Sequence, residues 1–248
     1  LPAVFVHGNP ETAALWNDLL PRLHRTDVVT LSPPGFGAPV TDGFEATADA
    51  YRDWLAAELE GIEGPIDLVG HDWGGGHVMR IAMERPERIR SWATDVAGLF
   101  DPQYVWHDMA RLWQTPGAGE ASIAQSLAAP PAARVQRFAS YGMSERVAPA
   151  VAAGFDAAMG RCILALYRSA AQPAMADWGR QLADAAARPG LVIIATEDHF
   201  AGGESMARRS AERSGARVAI LPGLGHWWMC QDPAAGAAAL TEFWSGLA

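Results

Sequence analysis

The sequence predicts an α/β fold, a mostly parallel sheet flanked by helices, with a helical segment inserted after the sixth strand–helix unit. Three observations carry this. Short β-branched or apolar runs alternate with longer segments of helical period, the pattern of strands joined through helical crossovers. That alternation stops between Phe100 and Pro189, a stretch too long for a loop and rich in Ala, Met, Trp and Arg at helical spacings. A content of 50% apolar and 19% charged residues over 248 positions suits one compact unit with a full core. The core is assigned to residues 1–99 and 190–248, and the insertion to residues 100–189.

Taken in order, strands are expected at Ala3–Val6, Val28–Leu31, Ile66–Val69, Ile89–Thr94, Leu191–Ala195 and Arg217–Leu221. Helices are expected at Thr12–His24, Ala46–Glu60, Gly75–Glu84, Glu204–Ser214 and Pro233–Trp244. Inside the insertion, helix breaks fall at Pro116-Gly117, Pro130-Pro131 and Gly142.

Composition removes whole classes of chemistry. The 19 basic residues are all Arg, so a lysine Schiff base, a lysine-held cofactor and a P-loop are excluded together. With 28 acidic residues the net charge is -9, and no basic run offers the footprint that nucleic acid or an anionic membrane surface demands. The two cysteines, Cys162 and Cys230, have no metal or redox spacing and read as buried free thiols. No apolar run reaches the ~20 residues of a membrane span, and Leu1–His7 lacks a charged leader, so a cytoplasmic protein is expected. No cofactor and no metal are expected, and the oligomeric state is not legible.

The strongest motif is Gly70-His71-Asp72-Trp73-Gly74, where a buried strand runs into a sharp turn and then a helix. Small residues on both sides of Asp72 let the turn lift its side chain above the carboxyl end of the sheet. The simpler alternative is an Asp that caps the following helix. Two further strand ends weigh against it: Asp198 follows Leu191–Ala195, and His226 follows Arg217–Leu221 on the loop Leu224-Gly225-His226-Trp227. After the first strand, Val6-His7-Gly8-Asn9-Pro10 can aim the Asn9 N–H at Asp72, and with the Trp73 N–H it makes a candidate oxyanion hole.

On these strings the chain resembles the α/β-hydrolase superfamily, and within it the epoxide hydrolase and haloalkane dehalogenase branch that uses Asp as nucleophile. The resemblance is strong over the core and weak over the insertion, which corresponds to that branch's cap. Members usually carry two more strands ahead of the first one seen here, and this cap is short. The resemblance implies that Asp72 attacks a saturated carbon of a small apolar electrophile to form an alkyl ester, and that His226, oriented by Asp198, activates water against it.

The leaving group divides the reading. In Leu164-Ala165-Leu166-Tyr167-Arg168, Tyr167 resembles the cap tyrosine that donates to an epoxide oxygen, with Tyr141 as its partner and Tyr104 in reserve. Asn9 and Trp73 resemble the pair of N–H donors that hold a halide in dehalogenases. Epoxide opening is the leading expectation and dehalogenation the alternative; a hydrolase fold that binds a small ligand without turnover is a third. His71 is expected to be packed and hydrogen-bonded, Asp95 to be a substitute for Asp198, and Glu197 to face solvent. Trp106, Trp113, Met109 and Met159 are expected to line or brace the insertion, and Phe36 of Gly35-Phe36-Gly37 to form a pocket wall.

Overall fold

The computed structural model describes residues 1–247. Six strands form one sheet in the order β2-β1-β3-β4-β5-β6, where β1 is Ala3–Val6, β2 Val28–Leu31, β3 Ile66–Gly70, β4 Ile89–Thr94, β5 Gly190–Ala195 and β6 Arg217–Leu221. Every pairing among them is parallel. Parallel neighbours need crossover connections, so helices cover both faces and the central strands are buried. Accordingly β1, β3 and β5 are buried along their whole length, while the edge strands β2 and β6 are partly exposed.

The expected helices of the core form with small shifts, apart from the first. Helix α1, Ala48–Glu60, starts two residues later than expected because Thr47 caps it, its Oγ1 accepting from Ala50 N at 3.2 Å. Helix α2, Trp73–Glu84, is buried from Trp73 to Met83. Thr12–His24 is not one helix but two short 3-10 turns, Ala13–Asn17 and Leu20–Arg22. Pro21 has no N–H to give, so an α-helical ladder cannot run through it. The i→i+3 bonds from Leu15 to Thr12, Leu19 to Trp16 and Leu23 to Leu20 still bury the apolar face of the segment.

Between β4 and β5 the chain is helical: α3 Asp108–Gln114, α4 Ala118–Ala128, α5 Pro131–Ser140, α6 Ala148–Gly154, α7 Ala157–Ser169 and α8 Ala174–Gly179. The breaks fall at the expected Pro-Gly, Pro-Pro and Gly positions. This insertion follows the fourth strand of the chain, so the count of six holds only with the two extra strands that the resembled family carries. The sheet is completed by α9 Gly203–Arg213, α10 Trp228–Gln231 and α11 Pro233–Ser245. The largest fully buried side chains include Trp16, Trp92, Trp228, Tyr51 and Phe5. Phe36 belongs to this core: it is buried against Tyr51, 5.7 Å between centroids, and lines no cavity with the site residues. No single helix is long and apolar enough to cross a membrane among the described residues.

Candidate active site

Because all strands run the same way, the loops leaving β1, β3, β5 and β6 meet at one edge of the sheet. Asp72 follows β3 with φ 50° and ψ -127°, a strained conformation for a residue with a Cβ. The turn is possible only because Gly74 lies against the Val6 backbone, where an added Cβ would stand 2.2 Å from the Val6 carbonyl oxygen. Asp72 occupies the N-cap position of α2 yet makes no capping hydrogen bond. Its Oδ1 instead accepts from the Asn9 N–H at 2.9 Å. The Trp73 N–H opens α2 beside it and has no intrahelical partner.

Asp198, after β5, accepts from Phe200 N at 2.8 Å and from His226 Nδ1 at 2.8 Å. His226 Nε2 then faces Asp72 Oδ2 at 3.5 Å. Residues from four separate stretches are thus joined in one chain of contacts. Burial works against a charged His226, but the Asp198 and Asp72 carboxylates together outweigh it and raise the ring to about 10. Burial would likewise raise Asp72; its contact with His226 prevails and lowers it to about 2. Both shifts favour an imidazolium facing a carboxylate.

Behind this pair lies a second polar cluster. His71 is fully buried, with Asp95 Oδ2 at Nδ1 and Glu11 Oε1 at Nε2, the latter at 3.1 Å. Burial opposes a charge there, but the flanking Asp95 and Glu11 carboxylates push His71 well above its ordinary value. Asp95 also accepts from the Asp72 N–H at 3.1 Å and from Trp228 Nε1 at 2.7 Å. It is therefore engaged with His71, and the acid on His226 is Asp198. Glu11 further holds Gly8 N at 3.1 Å and Trp227 Nε1 at 2.6 Å. Ligand atoms of Glu11, His71 and His226 lie within 4.8 Å of one another, but every ring nitrogen of the two histidines already faces a carboxylate, as in a hydrogen-bonded cluster.

In front of Asp72 a cavity of about 320 Å³ separates the sheet edge from the insertion. Its walls include Asn9, Asp72, His226, Tyr141 and Tyr167. Tyr167 is buried, 5.5 Å from the Trp73 ring edge-on. Burial, then the Asp72 charge, raise its phenol well above the usual value. It is a neutral donor at physiological pH. Both polar ends of the Asn9 side chain are buried and make no hydrogen bond. Tyr141 lies flat on Trp227, 5.4 Å between centroids, and is 39% exposed. The Tyr104 hydroxyl is spent on the Phe200 carbonyl at 3.0 Å. Trp113 and Met109 line the cavity, whereas Met159 is core and Trp106 is fixed by its Nε1 on the Ala170 carbonyl at 3.2 Å. Glu197 is exposed, and Cys230 is only half-buried.

Sequence reading passed over Glu11, His107, Arg137, Phe200 and Trp227, all of which border this region. Glu11 and Trp227 each stand within two residues of a residue that was identified, Asn9 or His226, which was the available signal. His107 and Arg137 sit in the helical insertion, where no motif marks them.

A parallel sheet with a strained Asp elbow, a His–Asp pair at neighbouring strand ends and a helical insertion over the cavity defines a hydrolase architecture. The chain belongs to the alpha/beta hydrolase family, whose sequence pattern matches residues 3–239. A haloalkane dehalogenase of Agrobacterium fabrum is 28% identical over 134 residues, 50% of this chain and 43% of that protein, so the matched stretch spans less than half of the relative. The haloalkane dehalogenase DbeA-M1 loop variant from Bradyrhizobium elkanii superposes with TM-score 0.76 and 23% identity, covering 99% of this chain and 89% of that one. Epoxide hydrolase A from Mycobacterium thermoresistibile gives TM-score 0.74 and 21% identity, covering 100% of this chain and 92% of that one. At these identities the structural likeness bears on the fold.

Proposed function

We propose that the protein hydrolyses a small electrophile through an alkyl ester on Asp72, and that the electrophile is an epoxide. The observation that carries the mechanism is the His226 imidazole bonded to Asp198 on one side and facing Asp72 on the other. One Asp72 oxygen attacks the ring carbon, the C–O bond breaks, and the Tyr167 phenol gives its proton to the leaving oxygen. Tyr167 is then reprotonated from His226, and alkylation has meanwhile removed the Asp72 charge that helped keep His226 protonated. The neutral imidazole takes a proton from water as its oxygen adds to the ester carbonyl. The Asn9 N–H, already on Oδ1, receives the developing oxyanion. On collapse the ester C–O bond breaks, the proton of the added hydroxyl passes to the departing oxygen, and Asp72 returns as a carboxylate as the vicinal diol leaves.

Halide release is the second reading, favoured by the unpartnered Asn9 amide beside Asp72. A halide needs weak N–H donors and no proton, which Asn9 and Trp73 supply. The cleanest test of the shared chemistry is intact-mass measurement of His226→Gln mixed with styrene oxide or 1-bromobutane. An adduct of one alkyl group, absent when Asp72→Asn is added, is expected. No adduct from either probe would leave a ligand-binding protein without turnover as the better reading.

A further inference from the structure

We infer that the part of this cavity lined by α4 and α5 binds a carboxylate, so that the substrate is an electrophile with an acid head, an inference that rests on the reading of Asp72 as nucleophile. Two elements of the insertion build that part. Ser122, Gln125 and Ser126 recur along α4 at spacings that put them on one helical face, and all three line the cavity. Arg137 of α5 joins them, with its Nη1 donating to Ser126 Oγ at 3.2 Å.

Arg137 is the only arginine in the cavity wall, and it makes no ion pair among the described residues. Three other arginines without a carboxylate bond backbone acceptors, Arg134 the Phe155 carbonyl, Arg188 that of Pro86, and Arg213 those of Phe100 and Gly179, while Arg22 and Arg161 are exposed to solvent. Arg137 has a single serine hydroxyl, which leaves most of its N–H donors for something else. The remaining charged groups in the lining, Asp72 and His226, face each other at the reacting end, so among the described residues Arg137 is the one charge in the wall without an ionic partner. An unpaired guanidinium in the wall of the cavity that holds Asp72 suits a molecule with an anion at one end and an electron-poor carbon at the other. A planar carboxylate matches the guanidinium fork, and neutral hydroxyl and amide neighbours suit one negative charge rather than two. Phe138, Phe155 and Leu112 give the same cavity apolar wall for the connecting chain. The substrate so defined is amphiphilic, a refinement of the apolar electrophile expected from sequence.

The test compares an ω-epoxyalkanoic acid with its primary amide, and an ω-bromoalkanoic acid with its amide, on the wild type, Arg137→Gln and Arg137→Lys. The wild type is expected to prefer the acids in kcat/KM on the order of tenfold, one charge-assisted hydrogen bond at a half-buried site, with the difference in KM. Arg137→Gln should collapse that preference and Arg137→Lys should keep part of it. A wild type that treats acid and amide alike, or an Arg137→Gln variant that keeps the full preference, overturns the proposal. Calorimetry with an unreactive saturated alkanoate reads the same subsite without turnover: tighter binding to wild type than to Arg137→Gln supports it, and equal binding overturns it. If no probe is turned over and none labels Asp72, the catalytic reading fails, while calorimetry still decides the carboxylate subsite.

Discussion

At the scale of single residues, the proposed site centres on one charge shared by His226 with Asp198 and Asp72. His226 stays protonated because Asp198 and Asp72 both hold it, against burial and against the charge of His71 at 4.6 Å between ring centroids. Asp72→Asn should therefore lower the His226 pKa from about 10, which imidazole nitrogen NMR would read directly. A His226 that titrates identically in both proteins would remove Asp72 from its control. The same pairing has a sign for stability. Since the folded value lies above the ordinary 6.5, its contribution is complete below pH 6.5 and disappears as pH rises through about 10. Asp198→Asn should thus cost more stability at pH 6 than at pH 10, measured by urea melts. The leaving group is separable by two variants. Tyr167→Phe should slow epoxide opening by about 10²- to 10⁴-fold and spare bromoalkanes, whereas Asn9→Ala should do the reverse. Silence of Tyr167→Phe on all epoxides, with bromoalkane activity lost in Asn9→Ala, would make the halide reading the primary one. Asp72, Asp198, His226 and Asn9 were legible because each follows a strand in a short, recognisable string. Arg137 was not, because an arginine on a helix looks the same whether a carboxylate or solvent is its partner.

At the scale of elements, α2 is the part on which the elbow depends, and two of its glycines have opposite roles. Gly74 has no room for a Cβ against the Val6 and His7 carbonyls, while at Gly76 the nearest atom to an added Cβ is Trp73 Cε3 at 3.6 Å. Gly74→Ala should destabilise by on the order of 1–3 kcal/mol through forced backbone movement. Gly76→Ala should stabilise by about 0.5–1 kcal/mol by reducing the freedom of the unfolded chain. Thermal or urea melts of the two variants decide the point, and equal shifts would mean that the elbow can relax. Strands and the later helices could be located from sequence because apolar runs and Pro or Gly breaks are local signals. The Thr12–His24 segment misled because its apolar spacing is helical while Pro21 forbids the helix, so burial pattern and hydrogen-bond pattern parted company there.

At the scale of the whole molecule, the proposed division into a core of residues 1–99 and 190–248 and an insertion of residues 100–189 has a dynamic signature. Strands β3 and β5 are wholly buried, whereas α4 buries only Gly119 and Ile123 and α5 only Phe138. Hydrogen exchange should be slowest in β3, β4 and β5 and much faster in α4 and α5. Uniform protection across both parts would argue for one cooperative unit. The way the insertion is anchored reaches further than its motion. The strands that flank it, β4 and β5, are neighbours in the sheet, where Trp92 pairs with Gly190 and the Trp92 N–H donates to the Pro189 carbonyl at 3.0 Å. A loop whose ends are already clamped can change length at little cost, about 0.6 kcal/mol for each doubling. Natural variation can therefore lengthen, shorten or exchange the helices of the insertion while Asp72, Asp198 and His226, which follow strands of the sheet, keep their positions.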